Sequence, residues 1–72
     1  MTIYLIKDIA RISGLSIHTV KYYLKLGLVT EIGRSPGTNF RYFDDTTIER
    51  LATIRQYRKN KMSIRKITEL LK

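Results

Sequence analysis

The sequence predicts a mainly helical winged helix-turn-helix domain, with about four helices and a small β-hairpin wing. Three observations predict it. Two short amphipathic stretches are separated by Gly14-Leu15-Ser16, a turn-rich basic segment from Gly33 to Asn39 lies between two apolar-aromatic runs, and two further helical patterns fill the remainder. The 72 residues allow one domain, 1–72, with a small core close to the lower limit for folding without disulfides or metals.

Each element has a local cause. Ile6, Ile9, Ala10 and Ser13 recur at helical spacing, and Gly14 ends that helix because glycine enters the left-handed conformation at little cost. Ser16 is placed to cap a second helix by accepting a hydrogen bond from the amide of Thr19 or its neighbour. In that helix Val20, Tyr23 and Leu24 form the buried stripe, which leaves His18, Thr19, Lys21, Tyr22 and Lys25 facing outward. Gly27 stops it, and Leu28 and Val29 return the chain to the core. Thr30-Glu31-Ile32 and Phe40-Arg41-Tyr42-Phe43 are expected to be the strands of the wing, with Gly33 to Asn39 as its tip and Phe40 and Phe43 anchoring it in the core. Asp44 caps a third helix carrying Ile48, Leu51, Ile54 and Tyr57. After a break at Asn60 to Met62, Ser63 caps a fourth helix, in which Ile64, Ile67 and Leu71 point one way with Leu70 alongside.

Composition narrows the chemistry. Fourteen Lys and Arg against six Asp and Glu give a formal charge of +8, which suits a polyanionic partner, nucleic acid first. With no cysteine and His18 as the only histidine, no closed zinc site can be assembled, and no cofactor is expected. The longest purely apolar run, Tyr4-Leu5-Ile6, is too short to span a bilayer or form a signal core, so the expectation is a soluble cytoplasmic protein without a membrane partner. There is no paired-carboxylate pocket, no nucleophile with a base and no phosphate-cradling glycine loop leading into a helix. The sequence therefore reads as a binding protein rather than an enzyme.

A glycine-linked helix pair of this kind can insert its second helix into a DNA major groove. On that reading Ser16, His18, Thr19, Lys21, Tyr22 and Lys25 form the contact surface of the recognition helix. His18, Thr19 and Lys21 address base edges and phosphates, and the Tyr22 hydroxyl donates to a phosphate. Tyr23 is assigned to the core instead. In the wing, Arg34 and Arg41 can straddle the flanking backbone or enter the minor groove, with Asn39 as a neutral donor. The competing role for Arg41 is a salt bridge or a cation–π contact with its aromatic neighbours.

The order of motifs resembles the mercury-resistance-regulator (MerR) family over nearly the whole chain. Tyr4 to Ala10, Gly14-Leu15-Ser16, Thr19-Val20-Lys21-Tyr22-Tyr23 and Gly27-Leu28-Val29 resemble the family's opening. Phe40-Arg41-Tyr42-Phe43 is similar to its wing exit, and Ile48 to Leu51 and Met62 to Ile67 are similar to its third and fourth helices. The resemblance implies a winged helix-turn-helix followed by a helical pair, and a bacterial-type transcriptional regulator that binds double-stranded DNA. It also brings the junction of helices three and four, including Lys61, toward the DNA backbone. There Lys61, Ser63 and the first amides of the fourth helix would suit a phosphate; the alternative is a solvated charged face. Three positions depart from the family: Lys21 stands where arginine is usual, Leu24 where glutamate is, and Lys61 where glycine is. The last leaves Asn60 to supply the turn.

Two other functions stay open on the sequence: an architectural, excisionase-like DNA binder in recombination, and a protein-interaction module using helices three and four. The family's long dimerising helix is not in these 72 residues. The expectation is a monomer in solution, with weak self-association or head-to-tail assembly on DNA as the way copies would meet.

Overall fold

Three of the four helices are stopped in the same way, and these stops set the angles between them. The computed structural model describes residues 2–71; Met1 and Lys72, the ends of the expected domain, lie outside the described residues. In chain order the elements are β1 (Tyr4–Leu5), α1 (Ile6–Ser13), α2 (Ile17–Leu26), β2 (Gly33–Arg34), β3 (Arg41–Phe43), α3 (Asp45–Lys59) and α4 (Ile64–Leu71). After α1, Gly14 lies at φ 69°, and the Leu15 amide donates back to the Ala10 carbonyl at 2.9 Å. After α2, Gly27 lies at φ 78°, and the Leu28 amide reaches the Tyr23 carbonyl at 3.0 Å. After α3 the left-handed residue is Lys61, at φ 64°, and the Met62 amide reaches the Tyr57 carbonyl at 3.1 Å. In each case an apolar residue follows the left-handed one and folds back on the helix it has just left.

The helix starts are as local as the stops. Ser16 Oγ accepts from the Thr19 amide at 3.0 Å, Asp44 Oδ1 from the Thr46 amide at 3.0 Å, and Ser63 Oγ from the Lys66 amide at 3.1 Å. At α1 no cap residue is available, and the Asp8 carboxylate instead accepts from the Leu5 amide at 3.0 Å. Four orphan amides begin every helix, so these oxygens decide where each one starts.

A small antiparallel sheet, in the order β1-β3-β2, joins the two ends of the helix-turn-helix. Tyr4 pairs with Phe43 and Leu5 with Tyr42, while Gly33 pairs with Tyr42 and Arg34 with Arg41. A side chain at Gly33 would have to displace the Tyr42 ring and hydroxyl, which lie where its β-carbon would stand. The Tyr4 hydroxyl donates to Asp45 Oδ1 at 2.9 Å, tying β1 to the start of α3.

Ile9, Ala10, Val20, Tyr23, Leu28, Val29, Phe43, Leu51, Ile54 and Ile67 form one buried cluster. Every helix and the β3 strand contribute to it. Two arginines of α3 stitch its edge. Arg50 donates to the Leu28 carbonyl at 2.9 Å and to the Leu71 carbonyl at 2.7 Å, and Arg55 donates to the Ser13 carbonyl. Both hold carbonyls that follow or end a helix, where backbone acceptors lack partners.

The structure corrects the sequence reading at several points. The wing strands are Gly33–Arg34 and Arg41–Phe43, not residues 30–32 and 40–43, and β1 is a third strand the sequence did not announce. Phe40 is not core: it is 61% exposed, whereas Phe43 is fully buried. They are three positions apart in extended chain, so they leave on opposite faces and only one can reach the interior. Leu24 packs at the core's margin rather than inside it, and on α4 Leu70 is half exposed beside the packed Ile64, Ile67 and Leu71. Lys61, not Asn60, takes the left-handed turn before α4.

Candidate nucleic-acid interface

The α2 side chains expected to contact DNA are freed by the packing of the opposite face of that helix. Val20 and Tyr23 are buried there, and Tyr23 packs its ring 6.1 Å from that of Tyr22, centroid to centroid. Tyr22, one position earlier, stays 47% exposed. This division of the two tyrosines matches the helical spacing from Val20. His18, Lys21, Tyr22 and Lys25 are all exposed, and among the described residues none of their side chains makes a hydrogen bond or ion pair. Ser16 and Thr19 are different. Their hydroxyl oxygens lie 2.9 Å apart and Ser16 Oγ caps α2, so both are already engaged in holding the helix start.

The wing stands beside this helix. Lys21, Arg34, Asn39, Phe40, Arg41 and Ile6 line one open groove between α2 and the hairpin. It collects four of the ten residues expected to bind: one cation from the helix, two from the wing and the Asn39 amide. The tip that carries Asn39 is fixed by its backbone. Asn39 lies at φ 60°, its amide donates to the Ser35 carbonyl at 2.8 Å, and the Ser35 amide donates to the Phe40 carbonyl at 2.8 Å. Asparagine tolerates that left-handed conformation better than most side chains.

One residue of the groove, and one acid bonded to its arginines, were not anticipated. Phe40, expected in the core, is its exposed apolar wall. Glu31 was read only as part of a strand. Its Oε2 accepts a hydrogen bond from Arg34 Nε at 3.0 Å and lies 3.7 Å from Arg41 Nε. Hydrogen bonds from its own backbone amide and from Arg34 hold the Glu31 carboxyl below the usual glutamate range. The salt-bridge role considered for Arg41 is therefore present. No sequence signal announced it, because the pairing depends on strand register.

Lys25 and Lys61 do not line this groove. Lys61 is exposed at the α3–α4 junction, where its amide donates to the Arg58 carbonyl at 2.9 Å. Two cations of α3 are already engaged. Arg55 is tied to the Ser13 carbonyl, and Arg58 donates to the Met62 carbonyl at 3.0 Å. Among the described residues no group of His, Asp or Glu side chains could hold a metal ion, and no helix is long and apolar enough to cross a membrane.

Comparison with known proteins gives a consistent set of relatives. Residues 4–72 match the family model described as MerR HTH family regulatory protein. The HTH-type transcriptional regulator CueR of Bacillus subtilis (strain 168) is 35% identical over 68 residues, which are 94% of this chain and 46% of that protein. The HTH-type transcriptional regulator MerD of Pseudomonas fluorescens is 34% identical over 55 residues, 76% of this chain and 98% of that protein. Among solved structures, HiNmlR, described as a MerR family regulator lacking the sensor domain and bound to promoter DNA, superposes with a TM-score of 0.85 at 26% identity. That similarity covers 97% of this chain and 52% of HiNmlR. The chain thus spans about half the length of CueR and of HiNmlR.

Proposed function

The chain belongs to the MerR family of helix-turn-helix regulatory proteins, and from that premise we propose that it is the double-stranded DNA reader of a transcriptional regulator. The observation that carries this is the groove between α2 and the wing, where Lys21, Arg34, Asn39 and Arg41 converge beside unpaired His18 and Tyr22. In the proposed complex α2 lies in the major groove. His18 and Lys21 reach base edges, and Tyr22 and Lys25 reach phosphates. Ser16 and Thr19 contribute chiefly by fixing the first turn of the helix. Arg34, Asn39 and Arg41 follow the backbone beside the recognition site, and Lys61 meets a phosphate at the far end. Phosphate contacts set the register and base contacts supply the sequence information. That HiNmlR was solved on promoter DNA with the same fold supports the reading.

The test is selection of bound duplexes from a random-sequence library, followed by titration of the recovered sequence at increasing salt. A recovered motif is expected, with affinity falling steeply as log salt rises, by a slope of about −0.9 for each phosphate neutralised. A flat salt dependence, or no enrichment of any sequence, would remove this function. Spacing in the recovered sites also separates two uses of the same reader: inverted repeats favour a regulator, and clustered direct repeats favour an architectural factor.

A further inference from the structure

One acid in the wing stands against the charge expected of a DNA-facing hairpin. Arg34 and Arg41 are direct cross-strand partners, so their side chains leave the same face of the sheet. Like charges placed in this way repel and destabilise a strand pair. Glu31 sits between them. The same oxygen, Oε2, accepts from Arg34 Nε at 3.0 Å and faces Arg41 Nε at 3.7 Å, a charge contact longer than a hydrogen bond. Arg41 Nε is buried and has no hydrogen-bond partner, so Glu31 is the charge that answers it.

Which nitrogens are used matters more than the count of pairs. Both arginines turn their inner Nε toward Glu31, and among the described residues the terminal amines of both make no hydrogen bond. The side chains of Arg34 and Arg41 remain 44% and 39% exposed, against 25% for Glu31. The acid therefore holds, by their inner nitrogens, two arginines that line the groove together with Lys21 and Asn39. A guanidinium fork held by Nε still offers its terminal amines to a phosphate oxygen.

We propose that Glu31 is a positioning residue for DNA binding, which aims Arg34 and Arg41 together at one backbone segment. The proposal rests on the DNA-reading function above. It makes a prediction opposite in sign to simple electrostatics. A stray acid near DNA repels phosphate, so removing it should tighten binding. Removing a positioning acid releases two long side chains that must be ordered again on binding, so affinity should fall.

The experiment titrates the duplex recovered by selection, fluorescently labelled, with wild type, Glu31→Ala and Glu31→Gln, and repeats Glu31→Ala in an Arg34→Ala/Arg41→Ala background. Thermal unfolding of each variant checks that it is folded at the assay temperature. Glu31→Ala is expected to weaken binding about tenfold although it adds to the net positive charge. Glu31→Gln, which keeps an oxygen for Arg34 but loses the charge that faces Arg41, should fall between wild type and Glu31→Ala, and Glu31→Ala should have no weakening effect once both arginines are gone. Glu31→Ala binding as tightly as wild type, or more tightly, overturns the proposal. So does equal weakening in the background without the arginines, which would mark a purely structural role. Should Glu31→Ala be unfolded, Glu31→Gln decides alone: it must bind about threefold more weakly than wild type, and equal or tighter binding overturns the proposal. If wild type binds no duplex, the DNA-reading function itself falls and this proposal falls with it.

Discussion

Replacing Lys61 by glycine should make this protein more stable while weakening its hold on DNA. Three helices end in the same backbone motif, with left-handed residues at φ 69°, 78° and 64°. Two of them are Gly14 and Gly27; the third is Lys61. A side chain in that conformation costs roughly 1–2 kcal/mol, because its β-carbon crowds the following carbonyl. Glycine escapes the clash but loses more chain entropy on folding, about 0.5–1 kcal/mol. The difference leaves Lys61→Gly more stable by roughly 0.5–1 kcal/mol, or about 4 °C in midpoint for a domain of this size. Lys61→Ala is the control, since alanine removes the ammonium and keeps the β-carbon; its stability should stay at or below that of wild type. Thermal unfolding followed by circular dichroism gives both numbers. If Lys61 meets a phosphate, both variants should weaken binding alike, and the slope of log affinity against log salt should fall by about one contact. Equal stability of the glycine and alanine variants, or a glycine variant less stable than wild type, would refute the strain. Unchanged affinity in both would take Lys61 out of the DNA surface.

The two wing phenylalanines should behave as opposites. Phe43→Ala empties a fully buried site and should cost about 3–5 kcal/mol, enough to unfold most of a domain this small. Phe40→Ala should change stability by less than about 0.5 kcal/mol, and comparable losses at the two sites in chemical denaturation would contradict their placement. Arg50→Lys keeps the charge but cannot reach both the Leu28 and Leu71 carbonyls; a loss of about 2 kcal/mol is expected, read as a lower denaturant midpoint with an unchanged salt slope for DNA binding. For Tyr4, the hydrogen bond to Asp45, and secondarily burial, raises the phenol above its ordinary value. A folded value above the unfolded one means stabilisation that is complete below about pH 10 and is lost as pH rises through the folded value. Tyr4→Phe should therefore be less stable than wild type at neutral pH and converge with it in strong alkali. A gap that persists unchanged there would mean that the hydrogen bond is not its source.

What could be foreseen from the sequence was what local chemistry decides. Ser16, Asp44 and Ser63 cap helices because each holds an oxygen three residues or fewer from the amide it serves. Gly14 and Gly27 stop helices because no other residue does so at so little cost. Most of the failures share one cause, which is distance along the chain. Two residues of β1 cannot display an alternating pattern, and they become a strand only because Phe43 and Tyr42 pair with them from the far side of α1 and α2. The core position of Phe43 and the exposure of Phe40 depend on which face of β3 turns inward. Glu31 reaches both arginines only because the register sets Arg34 opposite Arg41. Lys61 was missed for another reason: Asn60 is intrinsically the better left-handed residue, but the stop has to fall where Met62 can fold back on Tyr57. Packing outranked propensity there.

The division of labour among the cations changes how the net charge of +8 should be understood. Arg50, Arg55 and Arg58 are bound to backbone carbonyls, Arg11 faces Asp8 at 3.8 Å, and Arg34 and Arg41 face Glu31. Among the described residues no lysine ammonium has such a partner. The planar fork of arginine suits fixed carbonyl and carboxylate geometry, whereas a lysine ammonium is a mobile point charge with little to gain from a single exposed partner. Arginine here is largely architecture, and lysine supplies the free field. A count of cations therefore overstates the DNA footprint. Of the cations left free, those placed against DNA in the proposed complex are Lys21, Lys25, Lys61 and the outward amines of Arg34 and Arg41, on α2, the wing and the α3–α4 junction. Lysine at position 21 fits this pattern: on an exposed helix face with no carboxylate to orient it, a fork would have nothing to hold it in register, and a point charge loses nothing by being free.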